Sequence, residues 1–306
     1  MMKAFDPQEI KKLYIPPQDS HKGQNGKLMI IGGSQLFHAA SLWALTIASK
    51  IVDMVFYSSV QENNQIVHEL KKEFHNGIVV PRDEIESYID ESDCILIGPG
   101  MLRAEDKEIE NNKYHASNLK EINQLENEGL QSYFLTKYLL DKYPQKKWVI
   151  DAGALQMMEP EWLLQLNGNV IITPHPMEFE RIRAKITDSK LKSEIEHKSL
   201  AEQVEMFAKE FMCTVLLKGK EDIACSSDTC VSISGGNAGM TKGGTGDVLA
   251  GLVAALACNN DLVLATQAGS YFNKKAGEAP FEKVGYYFNA SDLADEIPVV
   301  MKKLVK

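Results

Sequence analysis

The stretch "GNAGMTKGGTGDVLAGLVAALA", Gly236 to Ala257, holds six glycines and a single acid, Asp247, at the start of an alanine-rich apolar run. Glycine costs about 1 kcal/mol per helical position relative to alanine, so this cluster belongs to a loop that holds something. Gly243, Gly244 and Gly246 carry no Cβ, which lets backbone N–H groups approach an anion, and the helix that follows adds the positive end of its dipole. The spacing is neither G-x-x-x-x-G-K-[ST] nor G-x-G-x-x-G, so neither a P-loop nor a dinucleotide fingerprint is present. Asp247 reads in two ways. It is a first-turn acid that stabilises its helix by roughly 0.5–2 kcal/mol, or a base that takes a proton from a hydroxyl as that hydroxyl attacks a phosphoryl group. Phosphoryl transfer asks chiefly for positioning and charge stabilisation, and a glycine-lined anion hole with one carboxylate is a sufficient set.

Such a loop needs a scaffold. Short apolar runs, "KLMIIGG" (27–33), "DMVFYSS" (53–59), "GIVV" (77–80), "CILIGPG" (94–100), "WVIDAG" (148–153), "VIITPHP" (170–176) and "TVLLKG" (214–219), read as strands, several without polar alternation. Strands covered by helices on both faces have that pattern. Between them lie segments of helical spacing such as "HAASLWALTIASKIV" and "SLAEQVEMFAKEFM". The order predicts an α/β protein with a largely parallel sheet, as one domain over 1–306. Residues 223–227 and 230–234 read as a late hairpin around Asp228 and Thr229, and the polar stretches 103–130 and 183–199 as solvated helices or surface insertions. Five strand ends carry loops of special chemistry, "GGS", "GPG", "DAG", "TPHP" and "LKG". Ligands in open parallel sheets bind beyond the carboxyl ends of the strands, so these loops are expected to converge on one cleft.

A net charge of −9 over 306 residues argues against nucleic acid or an acidic membrane as the main partner. It does not argue against a phosphorylated small ligand, which local backbone dipoles can hold. The opening "MMKAFDPQEIKKLYIPPQDS" has no apolar core of signal-peptide type and no run is long enough to span a membrane. Cys94, Cys213, Cys225, Cys230 and Cys258 form no C-x-x-C pair and no zinc pattern, and free thiols in a reducing cytoplasm are expected.

"GNAGMTKGGTGDVLAG" resembles the G-N-P-G-M-A-x-G-G-[ST]-G-D-V-L-A-G signature of the nucleotide-dependent NAD(P)H-hydrate dehydratases, which have the ribokinase-like three-layer α/β/α fold. "HKGQNGKLMIIGGS", "ILIGPGM", "VIDAGAL", "ITPHPMEFERI" and "LLKGKEDIA" are similar to further motifs of that family and stand in its order, from about His21 to Gly251. The resemblance implies a repair reaction on hydrated NADH or NADPH, in which ADP or ATP with Mg²⁺ phosphorylates the C6 hydroxyl of the S epimer and phosphate is eliminated. Hydroxide is a poor leaving group and phosphate a good one. Residue by residue it implies Asp247 as the base at the hydrated nicotinamide, with Ala40, Gly100 and His175 on the substrate side. It places Lys218, Gly219, Lys220, Glu221, Asp222, Asn237, Gly243, Gly244, Thr245 and Gly246 on the nucleotide side, and no residue is assigned as a dedicated metal ligand. Glu178 reads either as an N-terminal helix acid or as a group that helps hold magnesium or orients His175.

Departures from the pattern are Leu102 where the family has glycine, Gly153 where it has the second acid of D-A-D-A-L, Ala238 for proline and Thr241 for alanine. No fused epimerase domain is expected, so a separate epimerase would interconvert the hydrate epimers, and a homo-oligomer is usual in the family. The competing reading is a small-molecule kinase of the same fold acting on a vitamin precursor. The donor stays open: Asp222 resembles the eukaryotic, ATP-using loop, whereas "TPHP" and "GNAGM" resemble the bacterial, ADP-using one.

Overall fold

Alternate residues of each central strand face opposite ways, and here both faces are apolar. Leu28, Ile30, Leu96, Val149, Ile171 and Leu216 enter one buried cluster. Their neighbours Met29, Ile31, Ile95, Ile97, Trp148, Ile150, Val215 and Leu217 enter a second. A sheet buried on both sides needs a helical layer on each. The computed structural model, which describes residues 2–111 and 118–305, has that form.

The strands are β1 (Lys3–Ala4), β2 (Lys27–Ile31), β3 (Met54–Ser58), β4 (Ile78–Val79), β5 (Cys94–Ile97), β6 (Lys147–Ile150), β7 (Val170–Ile172), β8 (Thr214–Leu217), β9 (Asp222–Cys225) and β10 (Cys230–Ile233). They form one ten-stranded sheet in the order β1-β10-β9-β8-β7-β6-β5-β2-β3-β4. The run from β4 to β8 is parallel throughout. Only the β8–β9 and β9–β10 pairs are antiparallel. The helices are α1 (Ala39–Ala48), α2 (Gln61–Leu70), α3 (Ile85–Glu91), α4 (Asp106–Asn111), α5 (Leu119–Asn123), α6 (Glu128–Lys142) and α7 (Ala152–Met157). After them come α8 (Pro176–Ala184), α9 (Ser189–Glu196), α10 (Leu200–Glu210), α11 (Thr245–Asn259), α12 (Leu262–Val284) and α13 (Ala290–Leu304).

The seven expected strands and the late hairpin are present, each strand ending before its special loop begins. The polar stretch 103–130 contributes α4, α5 and the start of α6, with 112–117 outside the described residues, and 183–199 contributes α9. The hairpin corrects the cysteine expectation. Its turn is four residues long, Ser226 to Thr229, closed by the Ser226 N–H donating to the Thr229 carbonyl at 2.8 Å. That register sets Cys225 directly opposite Cys230, and the two are joined as a disulfide. Cys94, Cys213 and Cys258 are free and buried.

Helix α11 is the centre of the first helical layer. It lies on β5, β6 and β2 and against α1 and α12. Its contact with α1 is close because Gly251 has no side chain: a Cβ there would sit 2.7 Å from both the Ala44 Cα and the Ala44 carbonyl oxygen. Gly251→Ala therefore sets a helix-propensity gain of about 1 kcal/mol against overpacking of roughly 1–3 kcal/mol. We expect net destabilisation of about 1 kcal/mol or more in urea unfolding, and a variant as stable as the parent would show that α1 and α11 separate freely.

Candidate functional site

Every parallel strand from β2 to β8 points its carboxyl end to the same rim, which gathers Gly32–Ser34, Gly98–Gly100, Asp151, Thr173–His175 and Lys218–Gly219. Asp151 follows β6 and is 2 % exposed. Its Oδ1 accepts hydrogen bonds from Thr173 Oγ1 (2.8 Å) and Lys218 Nζ (2.9 Å). Lys218 Nζ also lies 3.9 Å from Glu178 Oε2. Burial opposes the charge on Lys218, yet Asp151 and Glu178 outweigh it and hold the ammonium above its ordinary value. Glu178 is itself positioned twice. Gln156 Nε2 donates to its Oε1 at 2.9 Å, and the backbone N–H of His175 donates to its Oε2 at 2.9 Å.

This last bond is half of a capping box at the start of α8, where the Glu178 N–H donates back to His175 Nδ1. Glu178 is thus both a helix N-terminal acid and the group that orients His175. With Nδ1 accepting, the neutral His175 ring carries its proton on Nε2. The side chain is 48 % exposed and reaches the cleft.

Asp247 arrives from the other side, in the first turn of α11. Burial pushes its carboxyl up, the neighbouring charge of Asp151 adds to this, Lys218 pulls down and Glu178 adds again, leaving it at about 7. A carboxyl poised there exchanges a proton near neutral pH, as a general base requires. The helix that carries it has no side-chain cap, because Gly244 is the N-cap and adopts φ +94°. Gly244 is also filled from behind: a Cβ would lie 2.4 Å from Trp43 Cε3. Gly243 is different, with nothing within 4 Å of a Cβ position. The Thr245 hydroxyl is turned into its own loop, 2.6 Å from the Met240 carbonyl oxygen and 2.9 Å from that of Lys242.

Beside the first turn of α11 lies a cavity of about 1160 Å³. His175, Lys218, Gly219, Lys220, Glu221, Asp222, Asn237, Thr245 and Gly246 line it, with Asn273, Lys274 and Met240. Asp222 and Asn237 act within the wall. Asp222 Oδ1 accepts the Gly219 N–H at 2.8 Å and pairs with Lys274 Nζ at 3.1 Å, while Ser270 Oγ donates to Oδ2 at 2.7 Å. Lys274 Nζ donates to the Gly219 carbonyl at 3.0 Å as well, so the 218–222 loop is fastened to α12. The Asn237 side chain accepts the Gly239 N–H and donates to the Gly277 carbonyl at 2.7 Å. Lys274, Asp151 and Trp43 are the site residues that sequence reasoning did not assign.

Ala40 and Gly100 do not line this cavity; they meet each other. A Cβ on Gly100 (φ +73°) would fall 3.0 Å from Ala40 Cβ. The departure at 153 stands against the residue before Leu102, for a Cβ on Gly153 would lie 2.1 Å from the carbonyl oxygen of Met101. Among the described residues no three His, Cys, Asp or Glu side chains gather as a metal site.

Residues 28–299 match the family described as NAD(P)H-hydrate dehydratase. An ADP-dependent (S)-NAD(P)H-hydrate dehydratase of Nitrosopumilus maritimus is 33% identical over 97% of this chain and 96% of its own length. A bifunctional NAD(P)H-hydrate repair enzyme of Methanocaldococcus jannaschii is 32% identical over 96% of this chain, which spans 52% of that relative. In structure, an ADP/ATP-dependent NAD(P)H-hydrate dehydratase of Bacillus subtilis, co-crystallised with ATP/Mg²⁺, superimposes with a TM-score of 0.73, covering 99% of each chain at 21% identity.

An Asp247 carboxyl raised from 3.8 to about 7 binds its proton more tightly in the folded chain than in the unfolded one. Its contribution to stability is therefore full at low pH and is lost as pH rises through about 7. Asp247→Asn should be more stable than the parent at pH 8, on the order of 1–4 kcal/mol, with the gain disappearing near pH 4. Denaturant unfolding at the two pH values measures this, and no gain at pH 8 would refute the raised carboxyl.

Proposed function

Because the chain belongs to the NAD(P)H-hydrate dehydratase family and has its ribokinase-like fold, we propose that it regenerates NADH and NADPH from their hydrates at the expense of ADP or ATP. The family match and the named relatives support hydrate repair over the vitamin-precursor kinase. The observation that carries the assignment of roles is the Asp247 carboxyl, held at about 7 at an uncapped helix start beside a cavity large enough for a nucleotide.

In this reading Asp247 accepts the proton of the C6 hydroxyl as that oxygen attacks the terminal phosphoryl group of the nucleotide. The bond to the leaving nucleotide breaks, and the hydroxyl becomes a phosphate ester. The nicotinamide nitrogen then expels phosphate, the C6–O bond breaks, and loss of a C5 proton restores the C5–C6 double bond. Lys218 keeps positive charge beside the reacting carboxylate, and the start of α11 offers its dipole to the phosphates. The Gly219–Asp222 loop, fastened by Lys274, forms the nucleotide wall. His175 faces the substrate from the α8 start, with Ala40 and Gly100 allowing close approach on the substrate side.

Magnesium fits this site as an ion carried by the nucleotide. Asp151 is committed to Thr173 and Lys218, and Glu178 to Gln156 and the His175 backbone. Phosphate oxygens would thus supply most ligands, as is common for this cation. When bound it neutralises phosphate charge.

No helix among the described residues is long and apolar enough to cross a membrane. We further propose that the chain acts as one domain, in the cytoplasm, as a homo-oligomer. Some relatives are bifunctional repair enzymes, which supports a functional link to an epimerase.

With hydrated NADH, Mg²⁺ and either ADP or ATP, the purified protein should restore the absorbance of the reduced nicotinamide. No recovery with either donor, with a phosphorylated alcohol accumulating from another substrate, would hand the site to the kinase. Asp247→Asn should lower kcat by about 10²–10⁴-fold, the range for a lost general base, while nucleotide binding persists. The acid limb of kcat/KM should fall near pH 7, since Asp247 acts unprotonated. Asp151→Asn, which removes a neighbouring negative charge and frees Lys218, should move that limb to lower pH; an unmoved limb would separate Asp247 from the titration.

A further inference from the structure

Past Ala40 and Gly100 the rim opens into a second cleft of about 850 Å³, bounded by the end of β3, the start of α2 and the segment after β4. Gly33 joins it to the substrate side. A Cβ on Gly100 would lie 3.2 Å from Gly33 Cα, and one on Gly33 would lie 2.0 Å from Asn63 Nδ2 and 2.6 Å from Ser59 Oγ.

Here the chain buries polar atoms without satisfying them. Arg82 Nε and Nη2 on the wall and Asn63 Nδ2 behind it are shut off from solvent with no hydrogen-bond partner among the described residues, as is one acceptor on the wall, Asn123 Oδ1. The three nitrogens are obligate donors, and burying donors unpaired is costly enough that folded chains seldom do it. Burial lowers Arg82 to about 10, which leaves the guanidinium charged at neutral pH. Four acids line the wall, Glu62, Asp83, Glu126 and Glu128, and of these Glu128 acts on the guanidinium, its charge raising Arg82 against the effect of burial. Glu128 accepts the Gln35 N–H at 3.1 Å, Glu62 accepts Gln35 Nε2 at 3.0 Å, and among the described residues no carboxylate lies within ion-pair distance of Arg82. Helix α2 also begins at this cleft with no side-chain cap, its first residue Gln61 exposed on the wall beside the first-turn acid Glu62. Buried donors, a fixed positive charge and an open helix start ask for the same thing, an oxyanion.

We propose that this cleft is a phosphate subsite for the distal half of the dinucleotide substrate, with Arg82 as its anchoring cation and the start of α2 as a second donor. The proposal rests on the hydrate-dehydratase reading. Two phosphates of that substrate class share the chemistry, the diphosphate bridge and the 2′-phosphate carried by NADPH, and kinetics separate them.

In the parent enzyme and in Arg82→Gln, KM is measured for hydrated NADH and hydrated NADPH at saturating nucleotide. The variant should raise KM about tenfold or more, the loss expected for a charge-assisted hydrogen bond, with KM for the nucleotide unchanged. A rise for both hydrates assigns Arg82 to the diphosphate, and a rise for hydrated NADPH alone assigns it to the 2′-phosphate. Unchanged KM for both overturns the proposal, and so does a rise in hydrate and nucleotide KM together, which would make Arg82 a scaffold residue. Gln61→Glu guards against a misfolded Arg82 variant. An acid at a helix start favours the helix but repels phosphate, so hydrate KM should rise severalfold in a protein as stable as the parent, and an unchanged KM counts against the subsite. If the parent turns over neither hydrate, the dehydratase reading fails first. Calorimetric binding of inorganic pyrophosphate, with ADP saturating the other cavity, then tests the cleft alone: weaker binding in Arg82→Gln supports it, and equal binding overturns it.

Discussion

A single ammonium group holds this site together. Lys218 Nζ stands among Asp151, Glu178 and Asp247, so one positive charge is shared by three carboxylates in a place where water is scarce. One cation cannot fully satisfy three anions. It pairs most closely with Asp151, at 2.9 Å, and Asp247 is left with burial, the largest push on its carboxyl, and with the charges of Asp151 and Glu178, which add to bring it to about 7. Poor compensation of that kind is a cost to folding and a gift to proton transfer, since a carboxylate with a firm partner would be a feeble base. The rest of the rim fixes this imbalance in place: Thr173 holds Asp151, Gln156 holds Glu178, and the α8 capping box keeps His175 from drifting away from Glu178.

Around that centre the two walls are built on different principles. The wall proposed for the nucleotide is fastened by side chains, for Asp222, Ser270 and Lys274 tie the loop after β8 to the middle of α12. The wall proposed for the substrate is made by subtraction. Gly33, Gly98, Gly100 and Gly153 let four strand-end segments pass closer than any side chain permits, with a Cβ on Gly98 only 1.8 Å from the Asp151 carbonyl oxygen. The backbone pays nearby, where Ala152 adopts φ +44°, a left-handed conformation that costs a residue with a Cβ about 1–2 kcal/mol.

The strands, their parallel order and the convergence of five loops were legible because each signal is local: an apolar run, then glycine, proline or a charged residue at its end. Asp247 was legible for the same reason, as an acid placed at the mouth of a glycine loop. Lys274 was not, because a lysine in the middle of a 23-residue helix looks solvated until the fold sets it against Asp222. Nor was Trp43, whose ring backs Gly244 from a helix some 200 residues away in the chain. The cysteines failed on register. A two-residue turn at Asp228 and Thr229 would not oppose Cys225 to Cys230, and the four-residue turn does. Turn length is a choice between nearly equal local energies, which composition alone does not decide.

At Gly153 the Met101 carbonyl oxygen sits 2.1 Å from where a first side-chain atom would go. An acid placed there would have to displace the segment around Met101 before it could fit, so the single exchange Gly153→Asp would disturb two strand-end segments at once.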